Sequence, residues 1–321
     1  MGNQCCATGR DTKVKQKAHD RHLQRSDSEY RSGMKSRYKS GQLRGGDDCE
    51  RFDRAFETQD IREMVQLLNS NQKIDTLDEA MHPWASDPQT VGALAATHLA
   101  ILASSDNDSS ASQETQGSSG KKGGKKSKSY RNEIRKCGGI PPLVRYLQSQ
   151  EVDRNEAAVV ALSFLSVDSS VNCQIMYDND ALQLLQRHLL SKKEGMRAAT
   201  ASTLRNIYVL NMDTRREFLG GEALPHFLRL LDDPPNSEAD GESPNFDTQF
   251  EALFNVEDLV TVDDQVVPEF AHILKQAGIL KLLVALEKSE QQDEEVREFA
   301  AEMRDRIEAA VPSDTDRVAH N

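Results

Sequence analysis

The chain has only five cysteines, one tryptophan and no run of about 18 apolar residues, the length that a membrane-spanning helix needs. The missing run excludes a transmembrane helix, and the lack of an apolar stretch after Met1 excludes a cleaved signal peptide. The cysteines, at 5, 6, 49, 137 and 173, have neither metal-site spacing nor the spacing of a disulfide framework. The sequence therefore predicts an intracellular protein without a metal centre.

Catalytic and cofactor-binding motifs are also missing. The run GSSGKKGG around Lys121 lacks the spacing of a phosphate-binding loop, and no strand pattern precedes it. The eight histidines are scattered, and none accompanies a Ser or Cys nucleophile motif. We therefore predict that the protein is not an enzyme and binds no cofactor.

The first six residues, MGNQCC, are typical of an acylated N-terminus. N-myristoylation requires Gly2 to be exposed after Met1 is removed, and Cys6 occupies the position where Ser or Thr is preferred. One myristoyl chain gives only reversible membrane binding, so stable anchoring needs a second chain. The sequence predicts myristate on Gly2 and palmitate on Cys5 and Cys6.

A basic arm follows this motif. Residues 1–46 contain eleven Lys or Arg and four Asp or Glu, a net charge of +7, whereas the whole chain carries −12 and the remainder therefore −19. A basic segment beside an acyl chain is attracted to anionic lipid, and the acidic remainder argues against nucleic-acid binding. Low apolar content predicts a disordered arm. Its charges could alternatively serve solubility alone, and Tyr30, Met34 and Tyr38 allow a short amphipathic helix.

The rest of the chain repeats with helical periodicity. The pattern GGIPPLVRYL at 138–147 recurs twice at intervals of 42 residues, and the helix that follows it keeps the same register. The residues that match Ile140, Leu143, Arg145 and Leu147 are Leu182, Leu185, Arg187 and Leu189, then Leu224, Phe227, Arg229 and Leu231. Helical repeats of about 40–47 residues are typical of armadillo and HEAT proteins.

The residues resemble the armadillo consensus, a Gly-started short helix followed by a long helix of the form A-A-x-A-L-x-N-L. Matching segments are GGIPPLV (138–144), TASTLRNI (200–207), AVVALSFL (158–165), AATHLAIL (95–102) and FEALFNV (250–256). We predict an all-α, right-handed α-solenoid of about five armadillo-type repeats over 47–313. The expected repeats are 50–105, 130–178, 179–220, 221–276 and 277–313, with a flexible insertion at 105–129, a loop at 232–245 and a disordered tail at 314–321.

The acylated start and the repeats together resemble the Armadillo Repeats-Only family of apicomplexan parasites, whose members begin with Gly-Asn and a Cys-Cys pair. The yeast vacuolar armadillo protein, which is myristoylated and palmitoylated, has a similar plan. The family resemblance implies a scaffold on the cytosolic face of a membrane, which is that of an organelle such as a rhoptry or vacuole, or the plasma membrane. It further implies the positioning of a secretory organelle, the rhoptry, through a myosin and other recruited partners. The alternative is a soluble adaptor for transport or signalling, with Gly2 unmodified.

The resemblance also implies where a protein partner binds. In armadillo proteins the long third helices line a concave groove, and the Asn of A-L-x-N-L bonds the backbone of an extended peptide. Asn206 and Asn255 match that Asn, whereas Ile101 and Phe164 replace it in the earlier copies. The expected groove residues are therefore Arg205, Asn206 and Asn255. Both asparagines could instead be satisfied at a helix-packing seam, and Arg205 could belong to a solvated face.

Overall fold

The computed structural model describes residues 47–74, 86–111, 129–232, 246–290 and 292–311. Gly2, Cys5 and Cys6 lie outside these ranges, as do the whole basic arm and the tail at 314–321. So do most of the predicted insertion and nearly all of the loop at 232–245. No helix among the described residues is both long and apolar enough to cross a bilayer.

The described residues form fifteen α-helices, which fall into five groups of three and confirm the predicted all-α solenoid of armadillo-type repeats. A two-stranded antiparallel hairpin follows α12, with strands β1 (Thr261–Val262) and β2 (Gln265–Val266). The helices are α1 Asp47–Thr58, α2 Ile61–Leu67, α3 Val91–Ala111, α4 Tyr130–Lys136, α5 Ile140–Tyr146, α6 Val152–Ser166, α7 Ser170–Tyr177, α8 Ala181–Leu185, α9 Glu194–Tyr208, α10 Met212–Gly220, α11 Leu224–Leu228, α12 Phe246–Val260, α13 Pro268–Gln276, α14 Ile279–Lys288 and α15 Glu294–Ala310.

The structure differs from the predicted boundaries in two respects. The third, fourth and fifth repeats each begin one helix earlier than expected, because the Gly- and Pro-containing pattern that repeats in the sequence marks the second helix of a repeat, not its first. Thus α7 opens the third repeat instead of closing the second. In addition, α3 continues to Ala111, so 105–111 is helical and the insertion does not begin at Ser105. Ser129, expected at its end, caps α4 by accepting a hydrogen bond from the Asn132 backbone N–H.

The core runs along the third helices, α3, α6, α9, α12 and α15, each of which packs on the third helix of the next repeat. In α6, thirteen of fifteen residues are buried, so this helix has no polar face. A helix that is apolar on all sides is stable only when neighbours enclose it. Consequently α6 can form only as part of the stack, as expected for repeats that cannot bury their apolar faces alone.

The junction between the first two repeats is close-packed around Gly92. A Cβ at this position would overlap the Tyr146 Oη and would lie 2.6 Å from the Ser70 carbonyl oxygen. The Tyr146 hydroxyl donates to the Leu68 carbonyl oxygen, and its ring centroid lies 5.3 Å from the guanidinium of Arg154. That guanidinium also donates to the Ser70 carbonyl oxygen at 2.9 Å. Gly92 therefore allows α3 to approach a set of polar bonds that joins the two repeats.

Substituting Gly92→Ala should lower the free energy of unfolding by about 1–3 kcal/mol, the usual cost of overpacking a core. Gly220→Ala is the matched control, because Gly220 is also helical and nothing lies within 4 Å of the Cβ it would gain. Chemical denaturation of both variants measures the difference. Equal stability of the two would show that the junction tolerates a methyl group.

Candidate functional site

The candidate site is the surface that follows the third helices, where armadillo proteins bind extended segments. The sequence placed Arg205 and Asn206 on α9 and Asn255 on α12 at this surface. The structure brings these two helices into direct contact, so the three residues lie on neighbouring repeats. Their side chains nevertheless differ in exposure and in partners.

Asn206 bonds the preceding repeat. Its Nδ2 donates to the Ser166 Oγ of α6 at 2.9 Å, and the residue stays partly exposed. The amide therefore helps to join α6 to α9, as the packing alternative predicted. Its partial exposure leaves room for a contact with a bound segment as well.

Asn255 lies in the interior, which corrects its expected place among the groove residues. Only 2% of its surface is exposed, and its Oδ1 has no hydrogen-bond partner among the described residues. Its backbone oxygen accepts from the Tyr208 hydroxyl of α9 at 2.5 Å. The turn of α12 that carries Asn255 is pressed against the end of α9, so the side chain cannot reach a ligand in this arrangement.

Arg205 forms an ion pair within the solenoid. Its guanidinium contacts the Asp258 carboxylate of α12, and the two side chains are 27% and 35% exposed. Burial lowers the pKa of Arg205, but the nearby Asp258 charge and hydrogen bond outweigh this effect, so the pKa lies above its usual value. An acidic ligand would have to compete with Asp258 for this guanidinium.

Sequence reasoning missed the polar cluster to which this pair belongs. Next to Asp258, Glu257 pairs with Arg306 of α15, and Arg215 of α10 donates to the Thr261 carbonyl oxygen just after α12. Each of these partners lies 46–53 residues from its counterpart along the chain. Periodicity within one helix could not identify them. The sequence indicated these contacts only through the opposite charges that lie near the ends of successive long helices.

The charge of the solenoid changes along its length. Residues 130–208, which form the second and third repeats, contain ten basic and eight acidic residues, a net charge of +2. Residues 246–310, from α12 to α15, contain six basic and sixteen acidic residues, a net charge of −10. The C-terminal part of the surface therefore favours positively charged partners.

The described residues give no support to metal or thiol chemistry. They contain no group of three or more His, Cys, Asp or Glu placed to hold a metal ion. Cys49 and Cys173 are buried, and Cys137 is partly exposed. Burial raises the pKa of Cys173 to about 12, and its thiol donates to the Ser166 carbonyl oxygen at 3.3 Å. A thiol with such a pKa is not a nucleophile at neutral pH.

His98 is a core residue and not a catalytic one. Its ring centroid lies 4.8 Å from that of Phe56 and 6.2 Å from that of Phe52, and the residue is 5% exposed. Neither ring nitrogen has a hydrogen-bond partner in the described part of the chain. Burial lowers the pKa of His98 to about 4. The imidazole therefore packs as a neutral, nearly apolar ring.

The lowered pKa of His98 makes the free energy of unfolding decrease as the pH falls. Between about pH 6.5 and pH 4 the unfolded chain binds a proton at His98 that the folded chain does not, so stability is full above pH 6.5 and falls as the pH drops. At pH 4.5 the loss should be about 2.5 kcal/mol relative to pH 7. His98→Leu should remove this loss, and His272→Leu, at an exposed histidine, should not. Parallel curves of unfolding free energy against pH for the wild type and His98→Leu would contradict the assignment.

The Arg205–Asp258 pair should stabilise the contact between repeats. In a double-mutant cycle with Arg205→Ala and Asp258→Ala, we expect a coupling of about 0.5–1 kcal/mol, reduced by salt because solvent screens this partly exposed pair. The Arg216–Glu269 pair, which joins α10 to α13 and is 47% and 51% exposed, is the control and should couple less. A coupling of zero at low salt would show that Arg205 does not join the repeats.

Comparison with known proteins agrees with this architecture, although no family model matches the sequence. The structure is similar to ARO, the armadillo repeats only protein from Plasmodium falciparum, with a TM-score of 0.70 and 36% identity over 82% of this chain and 99% of that one. A designed armadillo repeat protein in complex with the peptide (KR)4 has the same fold, with a TM-score of 0.53 and 19% identity over 91% of this chain and 94% of that one.

One curated relative matches at the level of sequence. Vacuolar protein 8 of Saccharomyces cerevisiae is 28% identical over 166 residues, which are 51% of this chain and 26% of that protein. The chain thus spans about a quarter of the length of this relative. The Plasmodium protein, in contrast, is matched over almost its whole length at 36% identity. On that ground the chain belongs to the armadillo-repeats-only family.

Proposed function

We propose that this protein is a lipid-anchored scaffold that tethers cytosolic protein partners to the cytosolic face of a membrane. The observation that carries the proposal is the order of its parts: an acylation motif at Gly2, Cys5 and Cys6, a basic arm, and then an armadillo solenoid. The first two parts bind lipid, and the solenoid offers an extended surface for a protein. None of these three parts needs catalysis.

Two features support a protein partner on the third-helix surface. Arg205 and Asn206 remain partly exposed there, and the charge of −10 over 246–310 favours a partner segment rich in Lys or Arg. A solved designed armadillo protein of the same fold is in complex with the basic peptide (KR)4. A basic, extended partner segment is therefore the class that we propose.

Family membership extends the proposal to organelle positioning. We infer that the anchored membrane is that of a secretory organelle, rhoptry-like, and that the recruited partners include a myosin. A scaffold of this kind places a motor on a membrane without spanning the bilayer. The alternative remains a soluble adaptor, which would require Gly2 to be unmodified.

The anchor can be tested with three forms of the full chain in cell fractionation. Wild type should pellet with membranes, and Gly2→Ala should be soluble and lack palmitate. The double variant Cys5→Ser, Cys6→Ser should exchange rapidly between the membrane and the soluble fraction. Myristate alone gives an association constant on the order of 10⁴ M⁻¹, too weak for stable attachment. Membrane attachment of Gly2→Ala would contradict the anchored scaffold and favour another mode of binding.

The tether can be tested with the same variants by identifying the proteins that co-purify with each. When Gly2→Ala removes the anchor, partners that bind the solenoid should be recovered with the chain in the soluble fraction, most completely when Arg21, Arg25, Arg31 and Arg37 are also changed to Gln so that the arm has less charge with which to compete for the acidic surface. Loss of the partners from this combined variant would show that they bind the membrane or the arm instead of the solenoid.

A further inference from the structure

The last helix, α15, presents an acidic face to solvent. Its exposed acidic residues are Glu294, Glu295, Glu298, Glu302, Asp305 and Glu308. Two of its arginines bridge to other helices and also contact acidic residues of α15: Arg304 contacts Glu287 of α14 and Asp305, and Arg306 contacts Glu257 of α12 and lies 3.8 Å from Glu302. We call Glu298, Glu302, Asp305 and Glu308 the α15 acidic face. No further repeat follows α15 in the described chain.

Helix stability does not explain this face. Glu294 and Glu295 lie in the first turn, where the helix dipole favours negative charge. Asp305 and Glu308 lie near the other end, where the dipole disfavours it, and the last turn contains no basic residue. Glu298 and Glu302 are like charges four positions apart, which destabilises a helix slightly, and the contact of Glu302 with Arg306 at 3.8 Å offsets part of this cost. Helix stability therefore accounts for Glu294 and Glu295 and not for the whole face.

The chain itself contains a segment of opposite charge. The arm at 1–46 carries +7, and the region that contains the α15 acidic face carries −10. Helices pack about 8–10 Å apart, so four repeat spacings separate the start of α1 from α15 by about 40 Å. An extended chain reaches about 3.3 Å per residue, so 46 residues can span well over this distance.

We propose that the basic arm docks on the α15 acidic face of its own chain when it is not on a membrane. The proposal rests on the arm's membrane-binding role in the proposed function. Because arm and face belong to one molecule, their effective concentration is high, on the order of millimolar, and a weak attraction suffices for docking. Anionic lipid competes for the same lysines and arginines. Membrane attachment therefore frees the acidic end of the solenoid for a basic partner.

A zero-length carbodiimide cross-linker, which joins Lys amines to carboxylates, tests the docking on the full-length, unacylated chain. Mass spectrometry should find Lys13, Lys15, Lys17, Lys35 and Lys39 linked to the α15 acidic face in preference to Asp178, Asp180 and Asp213, which are exposed elsewhere. Equal linkage to both sets of carboxylates, or none to α15, overturns the proposal. Mixing isotope-labelled and unlabelled chains identifies links between copies, and a majority of such links also overturns it.

The electrostatic cause is tested without removing a reactive group. The variant Arg21→Gln, Arg25→Gln, Arg31→Gln, Arg37→Gln keeps all five lysines and every carboxylate but lowers the charge of the arm from +7 to +3. Links to α15 should fall by about fivefold or more, because an attraction between surface charges weakens steeply as they are removed. Unchanged linkage would overturn electrostatic docking.

Vesicle binding tests the competition. The variant Glu298→Gln, Glu302→Gln, Asp305→Asn, Glu308→Gln should bind phosphatidylserine vesicles about fivefold more tightly than the matched control Asp178→Asn, Asp180→Asn, Asp213→Asn, Glu290→Gln, which has the same net charge. Thermal unfolding checks that both are folded. Equal affinities overturn the competition. If the wild-type chain binds no phosphatidylserine vesicle at all, the arm's role in the proposed function fails, whereas the cross-links still decide whether the arm docks.

Discussion

The packing of each third helix on the next is the constraint on which the rest of this structure depends. In α6 almost every residue is buried, so the helix has no face that could remain in water. Its neighbours α3 and α9 therefore have to be in place for it to be stable. Stability in such a stack is shared between neighbouring repeats. The positions of Arg205, Asn206 and Asn255 follow from this stacking, because all three lie where third helices meet.

The junctions between repeats rely on different interactions at the two ends of the stack. Between the first two repeats, Gly92 admits a close approach, and Tyr146 and Arg154 bond backbone oxygens of the preceding repeat. Between the last three, ion pairs join successive helices, including Arg205 with Asp258 and Arg306 with Glu257. Part of the acidic surplus at the C-terminal end is thus neutralised internally. The remainder faces solvent on α15 and also at Asp263, Asp264 and Glu290.

The chain contains its lipid-binding features and its surface for protein partners in separate segments. The N-terminal 46 residues contain the acylation motif and a positive charge, and both are suited to lipid. The solenoid holds its shape through its own core and offers charge of the opposite sign at its far end. The shape of the solenoid is therefore the same whether or not the arm is on a membrane. Docking of the arm on the α15 acidic face would change only the access of partners to that face, through electrostatics alone.

The sequence by itself determined the fold class, the number of repeats and the acylation motif. Spacings of 42 residues and the A-L-x-N-L pattern are local properties, because they reflect the helix period and the need of each unit for an apolar face. The sequence predicted the ends of the repeats less well. The recurring Gly-Pro pattern marks a second helix, and nothing in the polar run after Ser104 indicates where α3 stops.

Only the tertiary structure decided the roles of the groove residues. Asn206 and Asn255 occupy equivalent sequence positions, yet one is partly exposed and bonded to Ser166, and the other is 2% exposed beneath Tyr208. The difference comes from residues about 40–50 positions away, Ser166 in one case and Tyr208 in the other. The partner of Arg205 is likewise Asp258, 53 residues along the chain. Exposure and pairing depend on which side chains the superhelix brings together, and local pattern carries no information about that.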